Sequence, residues 1–205
     1  MTGAHPGARL AWSCLLAACI ATHPFAARAD WKPVEKDVPY KIAGKTGPEL
    51  YASIGERGPK AGVGRAIAFT NFKLTWQRDY RPQPDGACTL ATARPKLIIS
   101  YHLPELEGEL PEPVATNWKV FIDGVRKHEA VHGEMIVDMV KQIEAYSIGL
   151  SAADDPGCKK VRAKLQERLP SISQARQQRS RDFDRAELSN GGAVHQLVLN
   201  LVNGG

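Results

Sequence analysis

One turn of a long amphipathic pattern constrains this chain more than any other feature. Trp118, Phe121, Ile122, Val125, Ile136, Met139, Val140 and Ile143 recur at spacings of three and four. On a wheel of 100° per residue they form a single apolar stripe, which predicts a helix packed along its length against the body of the fold. Inside that stripe stand His128, Glu129 and His132, the three fixed positions of a His-Glu-x-x-His.

Residues four apart on a helix lie about 40° apart around the axis and about 6 Å apart along it, so both imidazoles can address one metal ion. Glu129, next to the first histidine, has its carboxylate beside the ion rather than on it. From there it can take a proton from a water bound to the ion. The expectation is a Zn²⁺ site with His128 and His132 as ligands and Glu129 as the catalytic base. The bland reading, two core histidines hydrogen-bonded to neighbours, explains neither the spacing nor the intervening glutamate.

A catalytic zinc takes three protein ligands and keeps one position open, so a third donor is required. Asp138 is rejected, because an unbroken helix carries it about 9 Å beyond His132 along the axis. Downstream stand Glu167, Asp184, Glu187 and His195. His195 is favoured as the third metal ligand, since it follows the loop Ser189-Asn190-Gly191-Gly192 and such a loop can swing it toward the ion. Glu187, a glutamate ligand on a later helix, and Asp184 are the alternatives.

The first residues read as a targeting segment. Arg9 precedes an apolar run over residues 10–21, and Ala27-Arg28-Ala29 puts small residues where a signal peptidase reads them. Residues 1–29 are therefore expected to be a signal peptide and residues 30–205 a single domain, with location in the periplasm or outside the cell. Leu16-Ala17-Ala18-Cys19 also fits a lipobox, which would leave a lipid anchor on Cys19; simple cleavage is preferred because the apolar run continues past Cys19. No stretch reaches the roughly 20 apolar residues of an integral span.

Cleavage would remove Arg9 and Arg28 and no acidic residue, lowering the formal charge from +5 to +3. With no dense run of Lys and Arg among aromatics, nucleic acid is not an expected partner. A peptide or protein substrate is. Cleavage also leaves Cys88 and Cys158 as the remaining pair of the four cysteines, and in an oxidising compartment they should form a disulfide.

Residues 30–112 read as mainly strands and residues 113–205 as mainly helices. Thr46-Gly47-Pro48-Glu49 is a helix start with a capping hydroxyl. Residues 65–78 read as a long strand with a bulge near Thr70-Asn71, and residues 88–93 and 96–103 as two strands broken at Pro95. His102, on the second of these, reads as a strand residue with substrate contact as its other role. Two further helices are expected at residues 158–169 and 171–187, separated by Pro170, the second being largely a solvated, charged face. Residues 195–199 form a short apolar tail that must dock. The fold class is α+β: a small antiparallel sheet on a long helix that bears the motif, with further C-terminal helices, as in zincins.

Tyr40-x-x-x-Gly44, Thr46 to Leu50, Gly58-Pro59, the Trp76 strand, Cys88, the His128-Glu129-x-x-His132 helix and Cys158 together resemble a bacterial family of predicted secreted zinc-dependent proteases, domain of unknown function 922. That resemblance implies an extracytoplasmic, zincin-like metallopeptidase. Many members end in an aromatic-Asp pair followed by Thr-x-His-Gly. Phe183-Asp184 matches the opening, while Ser189-Asn190-Gly191 stands in place of the histidine. The expected function is thus peptide hydrolysis by zinc-activated water; the alternative is a non-enzymatic envelope binding protein with a structural or vestigial zinc site.

Overall fold

The computed structural model describes residues 1–3, 31–61 and 64–204. The signal-peptide reading of residues 1–29 and the lipobox at Cys19 lie almost entirely outside the described residues. The rest is α+β. A four-stranded mixed sheet, β1 (Val34–Ile42), β4 (Phe69–Pro82), β5 (Cys88–Leu106) and β6 (Ser151–Ala152), carries α2 (Val114–Ser147) on its face, with α3 (Lys159–Leu188) beside it. A short helix α1 (Gly47–Arg57), a two-stranded ribbon β2 (Lys60–Ala61) and β3 (Gly64–Arg65), and a last helix α4 (Ala193–Asn203) complete it.

The sheet order is β1-β5-β4, with β6 pairing the start of β5. It is not purely antiparallel: β1 runs parallel to β5 from Val34↔Ile98 to Ile42↔Leu106. The connection from β1 to the sheet's far edge passes through α1, so the parallel pairing has the crossover it needs. β5 is one strand of 19 residues and Pro95 does not break it. Between Leu90 and Leu97 a neighbour pairs along one side only, and such an edge tolerates a residue with no N–H to give. The irregularity of β4 falls at Asp79/Tyr80, not at Thr70-Asn71.

α1 starts as its residues dictate. Glu49 N donates to Thr46 Oγ1, and Glu49 Oε2 accepts from the Thr46 N–H at 3.2 Å and the Lys45 N–H at 2.7 Å, a reciprocal cap. Gly47 is required there because a Cβ would fall 1.8 Å from the Leu201 carbonyl oxygen of α4. α4 is the apolar tail, longer than expected, and it docks through Leu197 onto Gly124 of α2 and through Leu201 into the core.

Two cores lie along α2. Trp118, Phe121 and Val125 pack with Ile42, Leu50, Leu103 and Leu201. Ile136, Met139, Val140 and Ile143 pack with Leu97, Ile99 and Ile172. Residues 128–132 fall between them. Gly133 is a packing glycine, with the Tyr101 hydroxyl seated where its Cβ would be.

A third cluster at the far end holds Leu90, Val161 and Leu165 around the Cys88–Cys158 disulfide, whose Cα atoms are 5.3 Å apart. The bridge suggests an extracytoplasmic location. No helix among the described residues is long and apolar enough to cross a membrane.

α3 is a single helix through Pro170, not two. An interior proline costs about 3 kcal/mol, but Leu165 and Ile172, buried on either side of it, anchor both halves and outweigh that cost. Its buried residues are Val161, Leu165 and Ile172, so the half beyond Ile172 has none.

Candidate metal centre

Helical spacing on α2 brings His128 Nε2 and His132 Nε2 to 3.2 Å from each other. α3 runs antiparallel to α2: Arg179 meets Asp138, Ser180 meets His132, and Glu187 approaches His128. That register delivers Asp184 Oδ1 to 3.3 Å from His128 Nε2 and 2.8 Å from His132 Nε2. Donors bound about 2.0–2.1 Å from a tetrahedral ion stand about 3.3 Å apart, so the three atoms already have nearly the spacing that a shared ion imposes. Two imidazoles and one carboxylate suit a borderline divalent ion. Among the described residues no other group of three His, Cys, Asp or Glu donors converges in this way.

The surroundings orient the donors. Ser180 Oγ lies 3.0 Å from His132 Nδ1, placed to accept an Nδ1 proton and so leave the Nε2 lone pair for a shared ion. Phe183 stacks on His128, with centroids 4.7 Å apart and planes 17° apart, and meets His132 edge-on. His128 Nδ1 is buried without a hydrogen-bond partner, with Glu187 Oε2 at 3.9 Å, beyond bonding distance.

Glu129 is buried, at 5% exposure, and outside the donor set. Its Oε2 accepts a 2.5 Å hydrogen bond from Thr70 Oγ1, and the same hydroxyl is 3.2 Å from the Glu129 carbonyl oxygen. Thr70 thereby ties the carboxylate to β4.

Burial alone would raise Asp184 and lower His132, but their contact prevails in both. Hydrogen bonds and charge from His128 and His132 hold the Asp184 carboxyl well below the usual carboxylate range. Asp184, with a smaller effect of Glu129, lifts His132 above the usual histidine value.

A cleft of about 610 Å³ opens over the site. The stretch of chain at 65–72 forms one wall; His128, Glu129, His132, Arg176, Ser180 and Asp184, with the apolar Val125, Ile136, Leu188 and Val194, line the rest. β4, which supplies Phe69 to Phe72, is an edge strand of the sheet.

His128, His132 and Glu129 thus lie where their spacing predicts. His195 does not join them. It sits in the first turn of α4, where Nδ1 accepts from the Gly191 N–H at 3.3 Å. The loop at 189–192 leads the chain onward to dock on α2 instead of back to the histidines, and the aspartate of the uninterrupted α3 occupies the third place. Residues 96–103 form the middle of the sheet, paired on both sides over most of their length, so they are not the edge available to a substrate. His102 pairs with Phe69 and is absent from the cleft wall.

The charged stretch at 171–187 is not merely a solvated face. Arg176, Ser180 and Asp184 recur every four residues and form one stripe of α3 toward the cleft. That period was readable. Because these residues are polar, hydrophobic periodicity passes over them.

Comparison with curated proteins and with solved structures finds no significant match. The family described as "Bacterial protein of unknown function (DUF922)" matches residues 38–192. That span runs from β1 past the end of α3 and includes both histidines, Glu129, Asp184 and the two bridged cysteines, so the chain belongs to the DUF922 family.

Proposed function

We propose that the protein is an exported zinc-dependent peptidase. The observation that carries this reading is the convergence of His128 Nε2, His132 Nε2 and Asp184 Oδ1 beside a buried carboxylate, at the floor of an open cleft. When bound, zinc supplies a water of lowered pKa and a Lewis acid for the scissile carbonyl. Glu129 takes a proton from the attacking water and hands it to the departing amine. Thr70 fixes Glu129 Oε2, which leaves the other carboxylate oxygen for that proton.

Among the described residues no strand pairs with the outer side of β4, so an extended peptide can add along Phe69 to Phe72, taking the place of the Asn71 Oδ1 that accepts from the Phe72 N–H. The open cleft favours an enzyme over a closed structural metal site. The disulfide and the leader expected at residues 1–29 support a place in the periplasm or outside the cell.

The test is Glu129→Gln. Zinc content, measured by mass spectrometry, should stay at one equivalent while hydrolysis of a peptide library falls by at least about 10²-fold. Undiminished turnover would remove Glu129 from the chemistry.

A further inference from the structure

Four arginines stand on the half of α3 that faces the site. Three have partners: Arg179 pairs with Asp138 at 3.6 Å, Arg181 donates to Gln178 at 2.5 Å, and Arg185 pairs with Asp182 at 2.9 Å. Arg176 differs. Among the described residues it makes no ion pair, its Nε is buried with no hydrogen-bond partner, and the residue lines the cleft. It rests over the Phe72 ring of β4, 5.8 Å from the centroid, so the aromatic face holds the planar group at the cleft wall. Burial and the neighbouring Arg181 lower its pKa from the ordinary arginine value, which reflects a cation short of both water and counter-charge.

A buried guanidinium N–H with no partner, such as Nε of Arg176, is costly unless an acceptor satisfies it, and the fork of an arginine matches a carboxylate. We infer that Arg176 is a substrate-recognition residue that binds a carboxylate of the peptide, an acidic side chain or the chain's own C-terminus. The position argues against a role at the scissile carbonyl. Arg176 lies eight residues before Asp184, about 12 Å along the helix axis, so its partner lies a residue or more along an extended chain that advances about 3.3 Å per residue. Phe72, under the guanidinium, belongs to the β4 edge proposed to pair with that chain. The inference rests on the peptidase reading for what the ligand is, and it deepens that reading by naming the substrate class.

The test uses zinc-loaded Glu129→Gln protein and fluorescein-labelled hexapeptides in four forms, with Glu or its isostere Gln at one position and a free or amidated C-terminus. The Glu position is scanned along the peptide and binding is read by fluorescence anisotropy. At least one carboxylate-bearing form should bind about tenfold more tightly than the neutral form. Adding Arg176→Gln should remove that difference, and Arg176→Lys should keep part of it. Preference for the free terminus alone assigns the carboxylate to the chain end; preference for Glu alone assigns it to a side chain. Equal binding of all forms, binding of none, or a preference that survives Arg176→Gln overturns the inference. Cleavage by the unsubstituted protein is scored separately: a carboxylate preference without cleavage removes the peptidase reading and leaves the arginine site, whereas cleavage without preference does the reverse.

Discussion

At the scale of single residues, the contact between Asp184 and His132 makes the metal-free protein a pH-dependent structure. Asp184 has a depressed pKa in the fold, so its contribution is present above the unfolded carboxylate value and is lost as pH falls through the folded one. His132 has a raised pKa, so its contribution is complete below the unfolded histidine value and is lost as pH rises through the folded one. Metal-free protein should therefore be most stable between about pH 4 and pH 6.5, and its melting temperature should decline toward pH 8. His132→Ala should flatten that alkaline decline; melts in chelator at a series of pH values check it. With zinc the trend from pH 6 to 8 reverses, since ligation requires a deprotonated imidazole. Ser180→Ala, which frees His132 Nδ1, should weaken zinc binding by roughly 10–100-fold in competition with a chelating dye. The two histidines and Glu129 were legible because their relation is local, fixed by four residues of helix. Asp184 was only one candidate among several, because its place depends on how two helices register across 52 residues of chain.

Elements follow the same division. α1 and α2 could be read from caps and apolar period, since each signal lies within the element it specifies. The proline signals at Pro95 and Pro170 misled: a proline raises the cost of an element, but pairing on one side of β5 and burial on both sides of α3 decide whether it ends. The parallel β1 was equally hidden, because alternation along a strand carries no information on its neighbour's direction. Close packing at Gly133 gives a test of element against element. Gly133→Ala gains helix propensity of up to about 1 kcal/mol, yet its Cβ would lie 2.2 Å from the Tyr101 hydroxyl oxygen. Overpacking of this kind costs about 1–3 kcal/mol, so denaturant melts should show net destabilisation, with Tyr101→Phe in the same chain recovering part of it.

For the whole molecule, the disulfide joins positions 70 apart and encloses β5, α2 and β6. Replacing both cysteines by serine should lower stability by about 4 kcal/mol, measured by urea melts, while zinc affinity at 25 °C changes little because the bridge packs by the C-terminal end of α2 and His128 stands in the middle of that helix. Asp184 stands outside the covalent loop, on the half of α3 that has no buried residue. No fully buried side chain fastens that half; what does is the cluster of polar contacts with α2 and the stacking of Phe183 on His128, and an ion shared by Asp184 and the two histidines would work there as a rivet. Loading with zinc should then slow amide exchange across residues 173–188 far more than across residues 159–172. The same clasp that gathers the three donors would thus report metal occupancy as the looseness or tightness of one helix end.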